Sequence, residues 1–226
     1  MKRIFYTTVF VGLMLVLAVA ADFALKGPVS TQTASASAPA GDAGFTSALA
    51  PTDTLAWNAI ALPLAVDGIS AADDVAHTID ANGSIKKVAR WHADTGSWEV
   101  RAVGDPFSVN FPVETGDPIF VAADSSAPGT ASWVGDVPAQ GSLQFSLLQN
   151  AWNYIMIPLD QDGQFTMTAD GLASDIGGVT KVARWHASTN SWEVRAVGDP
   201  FSANFSVAIG YPYFVYTSDS TPSVWP

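Results

Sequence analysis

Two histidines at equivalent places in the chain have neighbours that are typical of acid–base chemistry. His92 is close in sequence to Arg90 and Glu99, and a second set repeats the arrangement with His186, Arg184 and Glu193. A carboxylate beside an imidazole orients the ring and stabilises its charged form, as general acid–base catalysis requires. The same residue types also form ordinary cross-strand pairs on an exposed hairpin face. Since no G-x-S-x-G motif accompanies them, we predict no catalytic residues and a protein that is not an enzyme. We keep His92 and His186 as candidate ligand-binding residues.

Metal ligation has little support in the sequence. With 3 His and no Cys, one module cannot supply the four nitrogen or sulfur ligands of a structural zinc site. The segment Asp160-Gln161-Asp162-Gly163 resembles the start of a calcium loop, but the later acidic ligands are missing. Asp and Gly are common turn residues, so a plain turn is the simpler interpretation. We therefore predict no metal site and no cofactor.

Tryptophan is the other residue type with functional potential, and the chain has 8. An exposed indole face can stack on a sugar ring, whereas a buried indole adds a large apolar area to a small core. Six tryptophans recur in register and fit buried faces: Trp57, Trp91, Trp98, Trp152, Trp185 and Trp192. Trp133 and Trp225, near the module ends, are the better candidates for exposure, ligand binding or contact between modules.

These residues belong to a duplicated segment. Residues 87–108, KVARWHADTGSWEVRAVGDPFS, return as residues 181–202, KVARWHASTNSWEVRAVGDPFS, with 20 of 22 positions identical. A repeat of this length indicates two copies of one structural unit. We place the first module at residues 45–138 and the second at 139–226, each large enough for a modest core.

The segment before the modules has the pattern of a secretory leader. Residues 1–21 combine a basic start, an apolar stretch and small residues suited to cleavage, which predicts a signal peptide. An uncleaved anchor is the alternative, because apolar residues continue as far as Leu25. Residues 22–44 are rich in Ala, Ser, Thr and Pro and are interpreted as a linker.

Composition and charge limit the partners. The chain is 48% hydrophobic and only 14% charged, with a formal net charge of −11. A field of this sign repels phosphate backbones and anionic lipid, so neither nucleic acid nor an anionic membrane is an expected partner. A membrane contact is expected only through an uncleaved N-terminal segment. The absence of cysteine excludes disulfides and thiol chemistry.

The elements that must position these residues follow the same order in both modules. The runs WNAIALPL at residues 57–64 and WNYIMIPL at 152–159 predict buried strands. A short helix follows each run, with Ser70 or Thr168 as its N-cap. The expected buried helix positions are Ala72, Val75, Ala76 and Ile79, and in the second copy Leu172, Ala173 and Ile176. Gly177 is expected to end the second helix.

The identical block predicts a β-hairpin with its turn at residues 93–96. In this register Trp91 faces Trp98 and Arg90 faces Glu99 across the ladder. Alternation then places the indoles on an inward face and the charged side chains, including Arg101, on an outward face. The two substitutions within the block both fall in the turn, where Gly96 becomes Asn190 and Asp94 becomes Ser188.

The succession W-N-x-I-x-L-P-L, short helix, R-W…S-W and N-F-x-V-x-x-G-x-P-x-F-V resembles a repeat module of large bacterial secreted and cell-surface proteins. The likeness covers nearly all of residues 45–226 and implies architecture only, since such repeats carry no assigned catalytic or ligand residues. This chain departs from the pattern at Ala61 and Met156, where Ser is usual.

The expected fold is α+β and β-rich, with two tandem homologous sheet or sandwich modules that each carry one short helix. We expect a secreted or surface-displayed, non-catalytic interaction or structural repeat protein. Carbohydrate binding through exposed Trp faces is the alternative, and an uncharacterised extracellular enzyme is the third reading. The expected partner is a cell-surface or extracellular protein or polysaccharide.

Overall fold

The computed structural model describes residues 43–50 and 55–226. The proposed leader and most of the proposed linker lie outside these residues. Ala43 and Gly44, which the sequence analysis assigned to the linker, instead belong to the first strand. The fold is β-rich α+β, with two tandem modules that each combine a four-stranded antiparallel sheet, a two-stranded ribbon and one short helix. This confirms the predicted fold class.

The first module contains six strands and one helix. Its elements are β1 (Ala43–Ala48), β2 (Ala56–Ala61), α1 (Ala72–Ile79), β3 (Ile85–His92), β4 (Ser97–Ala102), β5 (Pro118–Ala123) and β6 (Thr130–Gly135). The sheet has the order β2-β5-β3-β4, and β1 pairs with β6 in the separate ribbon. All of these pairings are antiparallel.

The second module repeats this topology. Its elements are β7 (Phe145–Ser146), β8 (Trp152–Met156), a 3₁₀ turn (Leu159–Gln161), α2 (Ala169–Ile176), β9 (Val179–His186), β10 (Ser191–Ala196), β11 (Pro212–Thr217) and β12 (Val224–Trp225). The sheet order β8-β11-β9-β10 corresponds to that of the first module, and β12 pairs with β7 as the second ribbon. The closing pair of strands is only two residues long.

The predicted hairpin is present in the predicted register. Trp91 pairs with Trp98 and Arg90 pairs with Glu99, and the second copy has the equivalent pairs. The turn residues Gly96 and Asn190 have φ values of 59° and 49°. Both lie in the left-handed region that Gly and Asn tolerate best, which explains why the two copies differ at this point.

Both helices bury the predicted positions, but one cap differs from the prediction. Thr168 caps α2, with its Oγ1 accepting the Gly171 N–H at 3.2 Å, and Gly177 ends that helix with φ 78°. In α1 the N-cap is Ala71 instead of Ser70. The Asp74 carboxylate accepts the backbone N–H groups of Ser70 and Ala71, each at 3.0 Å, and so satisfies the free end of the helix.

The ribbon of each module carries a tryptophan into the module core. Trp133 on β6 and Trp225 on β12 are both buried, so the expectation that they are exposed or lie between the modules is wrong. Buried and exposed residues alternate along β6, and Trp133 falls on the inward face that packs against the helix and sheet. The Trp225 indole N–H donates to Asp175 at 2.7 Å, which anchors the last strand to α2.

The two faces of the hairpin are used differently from the prediction. The core of the first module lies between α1, the ribbon and the sheet face that carries Val88. By strand alternation this is also the face of Arg90 and Arg101, and Arg101 is only 7% exposed. The assignment of Arg101 to an outward, solvated face is therefore wrong. The opposite face, with the indoles, packs against the other module.

Candidate functional site

The two four-stranded sheets meet face to face through aromatic side chains, and we call this contact the seam. Its buried centre consists of Ala89 and Phe120 from one sheet and Ala183 and Phe214 from the other. Partly buried residues surround this centre: Trp57, Ala59, Trp91, Trp152, Tyr154 and Trp185. Small alanines beside large rings let the two sheets approach closely, so the seam is packed like a core.

Two reciprocal hydrogen bonds hold the seam. The Trp91 indole N–H donates to the backbone oxygen of Trp152 at 2.7 Å, and the Trp185 indole N–H donates to the backbone oxygen of Trp57 at 2.6 Å. The two bonds are equivalent, because each runs from the hairpin tryptophan of one module to the first sheet strand of the other. The seam is therefore isologous, as in a two-fold dimer. The tryptophans of each duplicated block therefore contact the two strands of the other module that lie outside its own copy of the block.

Trp98 and Trp192 cover the centre of the seam from either side. The Trp98 ring lies 5.1 Å from Phe120 and 5.8 Å from Phe214, in edge-to-face geometry. Trp192 makes the equivalent contacts. These rings remain 39% and 37% exposed, more than any other tryptophan. The six recurrent tryptophans thus form the seam instead of separate module cores.

A small cleft of about 250 Å³ opens at the edge of the seam. Its polar lining comes from Arg90, His92, Asp117 and Tyr154, and its apolar lining from Trp91, Phe111, Pro118 and Ile119. Tyr154 belongs to the second module and the others to the first, so the cleft exists only when the modules are paired. Of the four predicted site residues, the structure places His92 alone in this cleft.

His92 and Arg90 share one acceptor beside the cleft. His92 Nε2 lies 2.9 Å from Glu99 Oε2, and Arg90 Nε donates to the same oxygen at 2.8 Å. The Arg90 guanidinium also stacks on the Phe111 ring at 4.6 Å. The hydrogen bonds from His92 and Arg90 lower the pKa of Glu99. Glu99 is therefore an ionised acceptor within an ion pair, and the arrangement holds the imidazole in place.

Asp117 is the unusual acid of the cleft. Burial raises the pKa of its carboxyl; the hydrogen bond from the Glu114 backbone N–H opposes this effect, the charge of the Glu114 side chain adds to it, and Arg90 opposes it. One carboxyl oxygen accepts the Glu114 backbone N–H at 2.8 Å. Facing it, burial raises the pKa of the Tyr154 hydroxyl, so this group stays neutral. Tyr154 Oη donates weakly to the Ile119 backbone oxygen at 3.4 Å.

The corresponding place on the second module has different residues. Tyr211 and Tyr213 occupy the positions of Asp117 and Ile119, and Ala59 occupies that of Tyr154. The Tyr213 hydroxyl accepts the Ala208 backbone N–H at 2.9 Å, and burial raises its pKa to about 12. The cleft therefore lies at a place along the seam where the two copies differ. In the sequence, the available signal was that these three positions do not match between the copies.

A second notable feature is a rigid loop that follows β4. Arg101 forms a bidentate pair with Asp73 at 2.8 and 2.7 Å. Its other nitrogen donates to the backbone oxygens of Asp105 and Ser108. Phe107, between those two residues, is 95% exposed. We call residues 103–108 the first Phe loop; the buried guanidinium ties it to the start of α1.

The second module has the same loop at residues 197–202. Arg195 pairs with Asp170 at 2.7 Å through both oxygens and donates to the backbone oxygens of Asp199 and Ser202. Phe201 is 96% exposed. Neither phenylalanine was among the residues predicted from the sequence to bind a ligand. The sequence did contain a signal for these exposed rings, because a phenylalanine follows Pro in the same polar segment of both copies.

Two structural searches gave negative results. Within residues 43–50 and 55–226, no group of three or more His, Asp or Glu side chains lies close enough together to hold a metal ion. In the same residues, neither helix is long and apolar enough to cross a membrane.

The fold and the site define a β-rich protein with two modules joined through an aromatic seam, a cleft at the edge of that seam and an exposed Phe loop on each module. Comparison with family models, curated proteins and solved structures found no match to this chain.

Proposed function

We propose that this chain is a secreted or surface-displayed, non-catalytic interaction protein that binds an extracellular partner through its two Phe loops. The observation that carries the proposal is the near-complete exposure of Phe107 and Phe201, at 95% and 96%. An exposed ring of this size has no role in the packing of its own module. Aromatic residues are enriched among the few side chains that dominate binding energy at interfaces.

The rigidity of the loops supports this role. Ser108 Oγ accepts the Ala102 N–H at 3.0 Å and the Phe107 N–H donates to Asp105 at 2.9 Å, in addition to the contacts of Arg101. A loop that is already ordered loses little conformational entropy when it binds. The same network in the second module presents a second, identical anchor. Two equivalent anchors on one chain increase avidity for a repeated or two-fold partner.

The charge of the chain indicates the kind of partner. The net charge is −11, and each Phe loop contains an aspartate, Asp105 or Asp199. A partner protein with an apolar pocket and a basic rim would complement both the ring and the charge. Anionic lipid and nucleic acid would be repelled by the same field.

The state of the acid–base groups favours binding over catalysis. Glu99 and Glu193 each accept from one arginine and one histidine. A carboxylate held in this way stabilises a hairpin, and its lowered pKa makes it a weak base. The Arg–Glu–His group occurs in both modules, whereas the cleft residues Asp117 and Tyr154 have no counterpart in the other copy. A group that is kept where there is no such cleft is expected to stabilise the fold.

The test is a binding experiment with the native cell surface or secretome and a Phe107→Ser/Phe201→Ser double variant. Val134→Ser is the matched control, because Val134 is also an exposed apolar residue but lies on the ribbon. We expect the wild type and the control to retain one saturable partner. The double variant should lose at least about tenfold in affinity, the effect of about 1.4 kcal/mol, with an unchanged Tm. Equal affinity of all three proteins would contradict the proposal.

Carbohydrate binding is the second candidate, and the cleft favours it. Exposed Trp faces are a weaker reason for carbohydrate binding than the sequence suggested, because four of the six recurrent indoles pack within the seam. Only Trp98 and Trp192 remain exposed, at 39% and 37%. The cleft instead offers neutral and paired polar groups beside an aromatic wall. Such a lining is suited to a small polar ligand.

A further inference from the structure

We infer that the cleft between Arg90, His92, Asp117 and Tyr154 binds one neutral sugar residue, either as a free monosaccharide or as the end of a glycan chain. The inference rests on the second candidate function and is independent of the Phe loops. It assigns a single site to the chain, on the side of the first module.

The dimensions of the cleft limit the ligand to about one ring. Its volume of about 250 Å³ lies just below the range of roughly 300–1,000 Å³ that is typical of sites for drug-sized ligands. It opens at the edge of the seam, where Trp91 and Tyr154 approach each other from different modules. A single sugar residue suits this space, and a longer oligosaccharide would have to extend into solvent.

The charge of the cleft favours a neutral ligand. Arg90 is balanced by Glu99 through a 2.8 Å ion pair, and Tyr154 is held neutral by burial. Burial also raises the pKa of Asp117, which reduces the cost of a neutral carboxyl there. An anionic ligand would be desolvated beside Asp117 without a free counter-ion, which is unfavourable. Hydroxyl groups would find donors and acceptors without this cost.

The arrangement of polar and apolar groups matches the two kinds of surface on a sugar. Asp117 has one oxygen engaged by the Glu114 N–H, and no described residue forms a hydrogen bond with the other oxygen. His92 Nδ1 is likewise without a partner among the described residues, since Nε2 is the atom that meets Glu99. Trp91 and Ile119 supply the apolar wall. Sugar hydroxyls would form hydrogen bonds with Asp117 and His92, and the C–H groups of the sugar ring would contact Trp91 and Ile119.

The differences between the copies indicate why one site is expected and not two. At the equivalent place of the second module, two tyrosines replace Asp117 and Ile119, and Ala59 replaces the Tyr154 phenol. Tyr213 is buried and engaged with the Ala208 N–H. The second position thus lacks the carboxyl and gains two rings, while the scaffold around it is unchanged.

The experiment is a calorimetric titration of the full chain with glucose, galactose, mannose and N-acetylglucosamine, each also as a short oligosaccharide. We expect saturable binding of at least one sugar with a stoichiometry of one. A stronger response to the oligosaccharide would identify a glycan end as the source, and an equal response a free sugar. The Phe107→Ser/Phe201→Ser variant should bind the sugar normally, which separates this test from that of the Phe loops.

The variants are chosen as matched pairs. His92→Gln should weaken binding by about tenfold, the effect of about one lost hydrogen bond, whereas His186→Gln should leave it unchanged. Asp117→Tyr installs the residue that the second module has at this partly buried position, and should abolish binding without a loss of fold. The inference is overturned if no sugar binds at concentrations up to about 100 mM, a hundredfold above a Kd of 1 mM. Equal effects of the two His variants, or normal binding by the Tyr variant, would also overturn it.

Discussion

Side chains whose types are typical of acid–base catalysis have a structural role in this protein. His92 and Glu99 have the composition of a catalytic pair, yet Glu99 also accepts from Arg90 and is ionised. Asp117 is different, because its carboxyl is partly buried and has no salt bridge among the described residues. The pKa of Asp117 is raised, and the pKa of Glu99 is lowered. The opposite pKa shifts distinguish Asp117, an acid that lines the cleft, from Glu99, an acid held in an ion pair that stabilises the hairpin.

The raised pKa of Asp117 has a consequence for stability. A carboxyl whose folded pKa exceeds its unfolded value stabilises the fold below the unfolded pKa, and this stability is lost as the pH rises through the folded pKa. Asp117→Asn should therefore raise the Tm modestly at pH 7, because the amide can still accept the Glu114 N–H. The gain should disappear near pH 3, where the wild-type carboxyl is protonated. Thermal melts across this pH range check the prediction, and a lower Tm at pH 7 would contradict it.

At the scale of the elements, the hairpin is the unit that was duplicated with least change. Its strands supply the Trp face to the seam, and its end supplies the Phe loop. Only the turn tolerates variation, since Gly96 and Asn190 both adopt positive φ. A residue with a Cβ branch would be strained in this conformation.

This gives a test of the turn. Gly96→Val should lower the free energy of unfolding by about 1–3 kcal/mol, the cost of holding a non-glycine residue in the left-handed region. Gly96→Asn should be nearly neutral, because the second module has Asn at this point with φ 49°. There is open space around Gly96, so the difference between the variants reports backbone strain alone. Chemical denaturation measures it, and equal losses would show that the backbone is not the cause.

The sequence predicted the individual strands and helices better than any other feature of the fold. Period-two alternation and the turn residues predicted the hairpin register, and helical spacing predicted the buried positions of α2. These are local properties, and local patterns are sufficient for them. The cap of α1 was misplaced by one residue because Asp73 and Asp74 are both acidic. Only the structure shows that Asp73 pairs with Arg101.

The contacts between modules could not be predicted in this way. Alternation shows that Trp91 and Trp98 share a face, but a face that packs on a helix and a face that packs on a second sheet have the same pattern. Trp133 was misjudged for the related reason that β6 belongs to a ribbon that folds over the core. The cleft depends on Tyr154 from one module and Asp117 from the other, so no local pattern contains it.

At the scale of the whole molecule, the two modules form one body. The reciprocal bonds of Trp91 and Trp185, at 2.7 and 2.6 Å, and the adjacent rings of Phe120 and Tyr154, 5.6 Å apart, connect them. An apolar face of this kind would be exposed if a module stood alone. The cleft requires this pairing, and the relative placement of the two Phe loops depends on it. The central claim is therefore that the seam is part of the fold.

Differential scanning calorimetry of the full chain tests this claim most directly, with a Trp91→Ala/Trp185→Ala variant as the comparison. The wild type should unfold in a single transition whose calorimetric and van't Hoff enthalpies agree, as expected when both modules unfold together. The variant, which removes both indole N–H donors and their ring contacts, should melt at a lower temperature and in two resolved steps. Two independent transitions in the wild type, with a calorimetric enthalpy about twice the van't Hoff value, would contradict the account.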